Sequence, residues 1–511
     1  MSNQDIQATW QYHNGTKHPN GSLLRERYRY DPTDRSPLFK VYPELAPIPL
    51  PLDRSPRGVP ALVAIARTIP PTEGKQHPDL DAVARLLYFS AGITKQLRTP
   101  WGTIPFRAAA CTGALYHIEL YLVCGDLPGL AAGVYHLDPR DIALRRLRQG
   151  DYRQVVIAAS DDAPQVAQAP AILIATDVIG RNAIKYQARA YRHTFWDSGT
   201  MFANTLAIAT TDDLPAQVVV GFVDWSLIRL LDLDPRRELA VALLPIGAGS
   251  AAPSAPQALI QPLGLATQAT PDYTIDFPAI RAMHQASILP DAGAVAAWRA
   301  AVPQRRLPEP TGRLVRLQPL SDAELPADPI ETVIVRRGSA RRFAHATISF
   351  QQLSTTLHQA LQGVPLDVLA PHGGSLNDVY LIVNAVDGLE RGAYVLHRDR
   401  QALELLKAGD FRAIAGHLAL DQALAAEASA DIFFLADLPA MLGRLGNRGY
   451  RAAQLEAGIA AGRLYLAAYA QGFAATGLTF YDDAITDFFS PHAGGKSVLF
   501  LLALGERAPR S

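Results

Sequence analysis

The sequence predicts an α+β protein made of two related domains in tandem, which together form an intramolecular pseudo-dimer. The first observation is a long internal repeat. The glycines and aromatic residues that follow Gly129 recur after Gly388, and an Arg-x-Tyr-Arg sequence at Arg189 recurs at Arg448, so both offsets (129 to 388, and 189 to 448) are 259 residues. A repeat of this length is a whole domain rather than a solenoid unit of about 20–50 residues. The second observation is that helical and strand-like patterns alternate inside each copy, which favours packed α+β layers.

Four segments follow one another along the chain. Residues 1–58 are polar and then rich in proline, which predicts an arm that lies over a neighbouring domain. The first domain covers residues 59–248. Residues 249–328 are dominated by Ala, Pro, Ser and Gln and predict a long linker that packs on the surface. The second domain, residues 329–511, repeats the order of the first: basic turn, helix, strands, long helix and closing strand.

Local patterns predict the individual elements of each domain. Apolar residues with helical spacing predict helices, and short apolar runs rich in β-branched or aromatic residues predict strands. In the first domain the helices are expected over residues 80–89 and 197–210, and the strands over residues 118–123, 133–137 and 238–247. The second domain is expected to close with a strand over residues 497–505.

The composition argues against several classes of function. Charged residues make up 19% of the chain and its formal net charge is zero, so it lacks the basic excess that is typical of nucleic-acid binding. Its two cysteines, Cys111 and Cys124, form neither a disulfide framework nor a Cys-x-x-Cys metal pair, which favours a reducing compartment. The polar N-terminus has no signal-peptide pattern, and no apolar run reaches the roughly 18 residues of a membrane span. We therefore expect a cytoplasmic protein without a nucleic-acid, membrane or metal partner.

A basic turn opens the second domain. Residues 336–342 contain four arginines and one serine, among them Arg337, Ser339 and Arg341. A guanidinium binds phosphate through a planar fork of donors, and a hydroxyl adds one more hydrogen bond. The turn is therefore a candidate anion site, although an arginine cluster taken alone is more often a solvated surface turn.

Two further motifs accompany the turn: Arg107-Ala-Ala-Ala-Cys111-Thr112-Gly113 in the first domain and Gly477-Leu478-Thr-Phe-Tyr in the second. Together the three motifs resemble those of the nitroreductase superfamily of FMN enzymes. More closely they resemble its SagB/ThcOx type, whose characterised members oxidise thiazolines or oxazolines in peptides to azoles. The chain departs from the family pattern at Ala110, where the family has proline, and at Cys111, where it has serine.

The resemblance implies tandem three-layer α-β-α domains with FMN at the interface between them. One domain supplies the phosphate turn and the Gly-Leu segment, and the other supplies the segment around the cysteine. The cofactor-binding residues that the resemblance implies are Arg337, Ser339, Arg341, Arg107, Cys111, Thr112, Gly113, Gly477 and Leu478.

The two repeats differ in how much of this equipment they keep. When the helices after the basic turns are aligned, Arg337, Ser339 and Arg341 fall opposite Arg67, Ile69 and Pro71. The Gly-Leu pair falls opposite Val218-Val219, whereas Arg107 has no arginine counterpart in residues 364–369. Each repeat thus keeps one complementary half of a flavin site. We infer one competent FMN site per chain and one degenerate pseudo-site.

Lys185-Tyr186 is the candidate catalytic pair. In characterised SagB/ThcOx enzymes a Lys-Tyr pair at this position is thought to take the substrate proton. A lysine whose pKa is lowered by burial, or a tyrosine next to a cation, can act as such a base. The second repeat has Arg444-Leu445 at the same place, so the pair is not required by the fold. The competing interpretation is a surface lysine beside a packing tyrosine.

The preferred function is an FMN-dependent dehydrogenase of SagB type that oxidises an azoline in a small or peptidic substrate and passes electrons to O2. The first alternative is an NAD(P)H-dependent nitro or quinone reductase, because such enzymes need no Rossmann fingerprint to bind nicotinamide transiently over the flavin. The second alternative is a flavin-free scaffold that binds peptides or partners. The sequence leaves open whether the chain forms a further homodimer.

Overall fold

The computed structural model of the protein describes residues 2–20, 39–100, 102–253, 260–268, 277–301, 307–369 and 374–509. Within these ranges it contains two mixed α/β domains built around separate sheets, so the predicted tandem α+β architecture is confirmed. No helix in the described ranges has the length and apolar character needed to cross a bilayer.

The first domain is built on an antiparallel sheet whose strands lie in the order β1-β6-β5-β4-β7-β8. Its inner strands are buried along their whole length, which explains why they read as continuous apolar runs rather than alternating patterns. The strands of this region are β1 (Pro47–Pro49), β2 (Ile93–Thr99), β3 (Gly102–Arg107), β4 (Ile118–Cys124), β5 (Gly133–Asp138), β6 (Ala143–Gln149), β7 (Ala171–Val178) and β8 (Glu238–Ile246). Its helices are α1 (Gln7–Gly15), α2 (Ala61–Ala66), α3 (Leu80–Ala91), α4 (Arg153–Ala159), α5 (Pro164–Ala167), α6 (Gly180–Tyr186), α7 (Ala190–Thr211) and α8 (Asp224–Leu231).

The expected arm and linker contain regular elements that join the two domains. In the arm, β1 pairs with β6 at the edge of the first sheet, and α1 precedes it. In the segment expected to be a linker, helices α9 (Pro278–Ala286) and α10 (Ala292–Ala300) are followed by β9 (Arg313–Arg316), which pairs with the second sheet. These elements are short, so their periodicity is too weak to distinguish them from an irregular linker.

The second domain repeats the first around an antiparallel sheet in the order β16-β17-β15-β11-β13-β14-β9. Strands β4, β5, β6, β7 and β8 correspond to β11, β13, β14, β15 and β17. The strands are β10 (Ile348–Ser349), β11 (Asp378–Val383), β12 (Val386–Asp387), β13 (Gly392–His397), β14 (Ala402–Ala408), β15 (Ala430–Ala436), β16 (Ala474–Leu478) and β17 (Ser497–Gly505). The helices are α11 (Ile330–Arg336), α12 (Phe350–Ala360), α13 (Arg412–Leu418), α14 (Ala423–Glu427), α15 (Leu438–Ala470) and α16 (Asp482–Phe489).

The two long helices α7 and α15 form the centre of the domain interface. They cross where Gly199 meets Gly458: a Cβ added to Gly199 would lie 2.5 Å from the carbonyl carbon of Gly458. Conversely, a Cβ on Gly458 would lie 2.8 Å from the carbonyl oxygen of Phe195. The two glycines stand 259 residues apart (199 and 458), so they are equivalent positions of the repeat, and the pseudo-twofold axis passes through this crossing.

Two buried ion clusters tie the domains together in a reciprocal way. Arg189 and Arg192 in the first domain bind Asp482 of the second at 2.9 and 2.6 Å. Arg448 and Arg451 in the second domain bind Asp224 of the first. The arginine pairs that recur in the sequence therefore form ion pairs across the domain interface.

Candidate active site

The basic turn of the second domain is fixed against strand β16. It follows the end of α11, and Ala340 N donates to Ala475 O at 3.0 Å. Tyr465, on α15, then links the turn to the strand: its hydroxyl lies 3.2 Å from Ser339 Oγ and accepts a hydrogen bond from Gly477 N at 2.6 Å. The predicted serine and the predicted glycine therefore lie side by side, joined by a tyrosine that the sequence analysis missed.

Arg337 reaches from this turn into the first domain. Its Nη2 and Nε donate to Ala108 O at 2.8 and 3.2 Å, and its guanidinium lies 5.7 Å from the centre of the Tyr465 ring. Burial lowers the pKa of Arg337, and the neighbouring tyrosines offset that effect only in part. The ion pair of this turn is made by the neighbouring Arg336, which binds Asp328 at 2.6 Å. Among the described residues, the hydrogen-bond partner of the Arg337 guanidinium is a carbonyl oxygen.

The same position in the first repeat is neutralised. There Arg67, the counterpart of Arg337, forms an exposed ion pair with Asp213 at 3.5 Å. Val218, the counterpart of Gly477, donates its N–H to Pro365 O at 2.8 Å, so the neighbouring loop occupies that edge. The cleft there has a volume of about 410 Å³, and its lining includes no charged side chain. It is a poor site for a phosphate.

The segment that begins at Arg107 is carried by the β2–β3 hairpin, which has no counterpart among the described elements of the second domain. Arg107 is buried, and its Nη1 donates to Ile118 O at 3.2 Å inside the first domain. Its guanidinium also packs 5.4 Å from the centre of the Tyr116 ring. The contact with the second domain is made instead by the next residue, Ala108, through its carbonyl oxygen.

Asp197 on α7 clamps the turn that follows. Its carboxylate accepts from Thr112 N at 2.9 and 3.0 Å, from Thr112 Oγ1 at 2.9 Å and from Cys111 Sγ at 3.2 Å. Burial, followed by the charge of Asp197, raises the pKa of the Cys111 thiol. Glu456 stands at the equivalent position of the second repeat and accepts from Ser375 Oγ at 2.9 Å. An acid at this helix position therefore holds the interface loop in both halves.

His117 connects Asp197 to a second carboxylate of the first domain. Its Nε2 lies 2.8 Å from Asp197 Oδ2, and its Nδ1 lies 2.7 Å from Asp177 Oδ1. Burial alone would lower the pKa of His117, but the adjacent carboxylates outweigh burial and raise that pKa well above its ordinary value. Both ring nitrogens therefore face a carboxylate oxygen.

The side-chain ends of Lys185 and Tyr186 lie next to this same turn. Gly113 has a positive φ of 63°, and a Cβ added there would lie 2.9 Å from Tyr186 Oη and 3.4 Å from Lys185 Nζ. The lysine is exposed, with Nζ 5.2 Å from the centre of the Tyr186 ring, so of the two kinds of base considered the arrangement fits a tyrosine next to a cation rather than a buried lysine. It stands in the last turn of the short helix α6, where the chain returns to the surface. The arrangement is that of a tyrosine next to a cation.

The structure thus gathers most of the predicted site residues around one interface. On the second-domain side lie Arg337, Ser339 and Gly477, with Leu478 buried behind the strand and Arg341 exposed at the end of the turn. On the first-domain side, the turn from Cys111 to Gly113 meets the Lys-Tyr pair. The residues that sequence reasoning missed are Tyr465, Asp197, His117 and Asp177. Of these, Asp197 had a signal, because an acid recurs at the equivalent Glu456.

Comparison with known proteins agrees with this architecture. The model of the nitroreductase family matches residues 334–505. The chain is 24% identical over 168 residues to a protein named as a nitroreductase of Methanocaldococcus jannaschii, a match that covers 33% of this chain and 80% of that protein. It is 27% identical over 132 residues to the microcin B17-processing protein McbC of Escherichia coli, covering 24% of this chain and 47%, about half, of that protein.

A solved structure extends the likeness to the whole chain. A protein of Anabaena variabilis, described as a nitroreductase, has a TM-score of 0.77 at 23% identity, and the match covers 98% of this chain and 99% of that one. This likeness shows that the tandem fold as a whole, with both domains, has a known counterpart. The family model itself matches within the second domain, and the solved structure extends the likeness of fold to the first domain.

Proposed function

We propose that this oxidoreductase is an FMN-dependent dehydrogenase of SagB type, which oxidises an azoline ring in a small or peptidic substrate. The observation that carries the proposal is the contact between Arg337 and Ala108 O. Through it, the phosphate turn of one domain contacts the segment of the other domain that leads into the Cys111–Gly113 turn. That turn lies against the side chains of Tyr186 and Lys185, the candidate base.

The residues of this interface suit FMN. The Arg337 guanidinium and the Ser339 hydroxyl would hold the phosphate, which would supply the anion that Arg337 lacks among the described residues. Gly477 is exposed on its strand, so its backbone can approach a flat ring closely. When bound, FMN supplies the acceptor for a hydride. The protein's own part is to bind the cofactor, orient it and remove a proton.

The Lys-Tyr pair favours dehydrogenation over reduction. Oxidation of an azoline to an azole removes a proton from carbon while a hydride leaves, so it needs a base. Tyr186 would accept that proton at its Oη as the phenolate, the form that the Lys185 ammonium beside its ring would favour. Similarity to the microcin B17-processing protein supports a peptide as the substrate class. Reduction of a nitro group has no such need, although the relative named as a nitroreductase keeps that reaction as the second candidate.

Flavin stoichiometry tests cofactor binding. We expect one FMN per chain in the purified protein, and roughly tenfold to hundredfold weaker FMN binding after Arg337→Ala or Ser339→Ala, because each change removes a hydrogen bond to a charged group. Arg67→Ala is the matched control in the pseudo-site and should leave binding unchanged. Two FMN per chain would contradict the single competent site. A colourless protein that cannot be reconstituted with FMN would favour the scaffold.

A model peptide containing a thiazoline tests the reaction. We expect Tyr186→Phe and Lys185→Met to retain FMN but to lose azole formation by about 10²- to 10⁴-fold, the usual contribution of a general base. Reduction of the flavin by NAD(P)H, measured by bleaching of its visible absorption, serves as the control that the base should not affect. If the wild type forms no azole but passes electrons from NAD(P)H to a nitroaromatic at equal rates in all three proteins, the reductase is the better assignment.

A further inference from the structure

Three metal-ligating side chains meet beneath the Cys111–Gly113 turn. Cys111 Sγ, His117 Nε2 and a carboxylate oxygen of Asp197 all lie within 4.8 Å of one another. The sulfur and the nitrogen converge on the same atom, Asp197 Oδ2, at 3.2 and 2.8 Å. We propose that Cys111, His117 and Asp197 bind one divalent cation of the zinc class. The proposal rests on this geometry and does not depend on the proposed dehydrogenase.

The donor set and its spacing suit such an ion. Thiolate, imidazole and carboxylate are the ligands of zinc, at about 2.3, 2.0 and 2.0–2.2 Å. A tetrahedral ion with these bond lengths holds its ligand atoms roughly 3.3–3.6 Å apart. The separations of Asp197 Oδ2 from the sulfur and from the nitrogen, 3.2 and 2.8 Å, would have to open by about half an ångström or less, and the sulfur and the nitrogen lie within 4.8 Å of each other. Three protein ligands would leave a fourth position for water or another ligand.

The surroundings orient each ligand as metal sites do. His117 Nδ1 is held at 2.7 Å by Asp177 Oδ1, the carboxylate–histidine contact that fixes Nε2 toward a metal. Asp177 is itself held by the hydroxyl of Thr194. On the other side, Tyr116 N donates to Cys111 Sγ at 3.2 Å, a contact that stabilises a thiolate. Cys111 is only half-buried, so an ion can enter from the side of the turn.

Ion binding would release protons from the ligands to solvent, because a zinc-class ion takes a thiolate and an imidazole nitrogen with a free lone pair. No oxidation or reduction is involved.

The fold does not require this cluster. At an offset of 259 residues, His117, Asp177 and Thr194 correspond to Leu376, Ala436 and Ala453 in the second repeat. Only Asp197 of α7 has an acidic counterpart, Glu456, which holds the loop around Ser375. The thiol, the imidazole and the carboxylate behind it are features of the first domain alone, the domain that carries the Lys-Tyr pair.

Cobalt substitution tests the site on the full-length protein as purified, after chelation of any ion it carries. One Co²⁺ per chain, with a thiolate-to-cobalt charge-transfer band in the difference spectrum, is the expected result. Cys111→Ser and His117→Gln should abolish the band, whereas Cys124→Ser should retain it because Cys124 lies elsewhere, fully buried beneath Ala131 O. Absence of binding, or a band that survives Cys111→Ser, would overturn the proposal.

A second measurement needs no variant and therefore does not depend on variant folding. Under native conditions a maleimide should label Cys111 and spare the fully buried Cys124, and Zn²⁺ should slow that labelling by at least tenfold. Equal labelling rates with and without Zn²⁺ would also overturn the site. Flavin content, counted on the same sample, reports on the dehydrogenase proposal separately.

Discussion

At the scale of the residue, the least conspicuous member of the site is Tyr465. Its hydroxyl is the only atom described here that contacts both Ser339 Oγ and Gly477 N. Since it accepts from the glycine, it can donate its own proton to the serine. One side chain therefore sets the distance between the phosphate turn and the strand beside it, without itself belonging to either motif.

Replacing Tyr465 with phenylalanine should loosen this part of the site while leaving the core packed. Two hydrogen bonds of about 1 kcal/mol each would be lost, which predicts FMN binding weaker by roughly tenfold to thirtyfold. Fluorescence titration of the apoprotein with FMN measures the change. The denaturation midpoint of the FMN-free variant is the control, because a large drop there would mean that Tyr465 acts through stability rather than through the site.

The charged and glycine residues of the site could be predicted from the sequence, but the side chains that hold them in position could not. Arg337 and Ser339 belong to a motif with regular spacing, so the sequence alone marks them. Tyr465 is one aromatic residue on a long alanine-rich helix, and its contact depends on how that helix is rotated against the strand. Whether Lys185 is buried or exposed was left open by the sequence, because a helix of seven residues gives no periodicity from which exposure can be read.

At the scale of the element, the crossing of α7 and α15 decides how closely the domains approach. Gly199 and Gly458 let the two backbones touch. Any side chain there would overlap main-chain atoms, which cannot move away by a change of rotamer. The helices themselves were predicted from their apolar character, at least in part, because the expected helix over residues 197–210 lies inside the observed Ala190–Thr211. The crossing point was not predicted, because a glycine within a helix does not show in the sequence which other helix packs against it.

Gly458→Ala should be strongly destabilising. The added methyl would overlap the backbone near Phe195, and such overpacking costs about 1–3 kcal/mol or more. Gly443→Ala on the same helix is the matched control: no atom lies within 4 Å of its added Cβ, and the residue is exposed. There alanine should be neutral or stabilising by up to about 1 kcal/mol. Urea denaturation of both variants measures the difference, and equal losses would contradict the role of the crossing.

Other elements escaped prediction for a different reason. The β2–β3 hairpin (Ile93–Thr99 and Gly102–Arg107) is largely exposed on both faces, so it lacks the apolar alternation that predicts a strand. Strand β9 lies in the composition-biased segment 249–328 and gains its structure by pairing with β14. In both cases the strand is stabilised by pairing with another strand, and the local sequence does not show which strand that is.

At the scale of the whole molecule, the reciprocal ion clusters make the interface sensitive to acid. Burial alone would raise the pKa of Asp482, but Arg189 and Arg192 outweigh it and hold that pKa well below its ordinary value. The pKa of Asp224 is lowered in the same way by Arg448 and Arg451. A carboxylate whose pKa is depressed by folding contributes its full stability above its unfolded-state pKa, and that contribution is lost as the pH falls below it.

We therefore expect the free energy of unfolding to fall as the pH drops below about 4, the unfolded-state pKa of aspartate. Asp482→Asn should lower stability by about 3–5 kcal/mol at neutral pH, because it leaves two guanidiniums buried without their carboxylate, and should flatten the acid limb. The neighbouring Asp483→Asn is the control, since Asp483 is exposed and forms a surface ion pair with Lys17. Denaturation curves between neutral and acid pH measure both effects.

The covalent joining of the two halves changes what a single mutation can do. In a dimer of identical chains, one codon specifies both residues on a twofold axis, so every substitution is made twice and both sites change together. Here Gly199 and Gly458 are encoded separately, and so are Arg67 and Arg337. One half can therefore lose a cation, fill a cleft or acquire a histidine while the other half keeps its inherited residue. Such a chain can specialise its two sites one codon at a time.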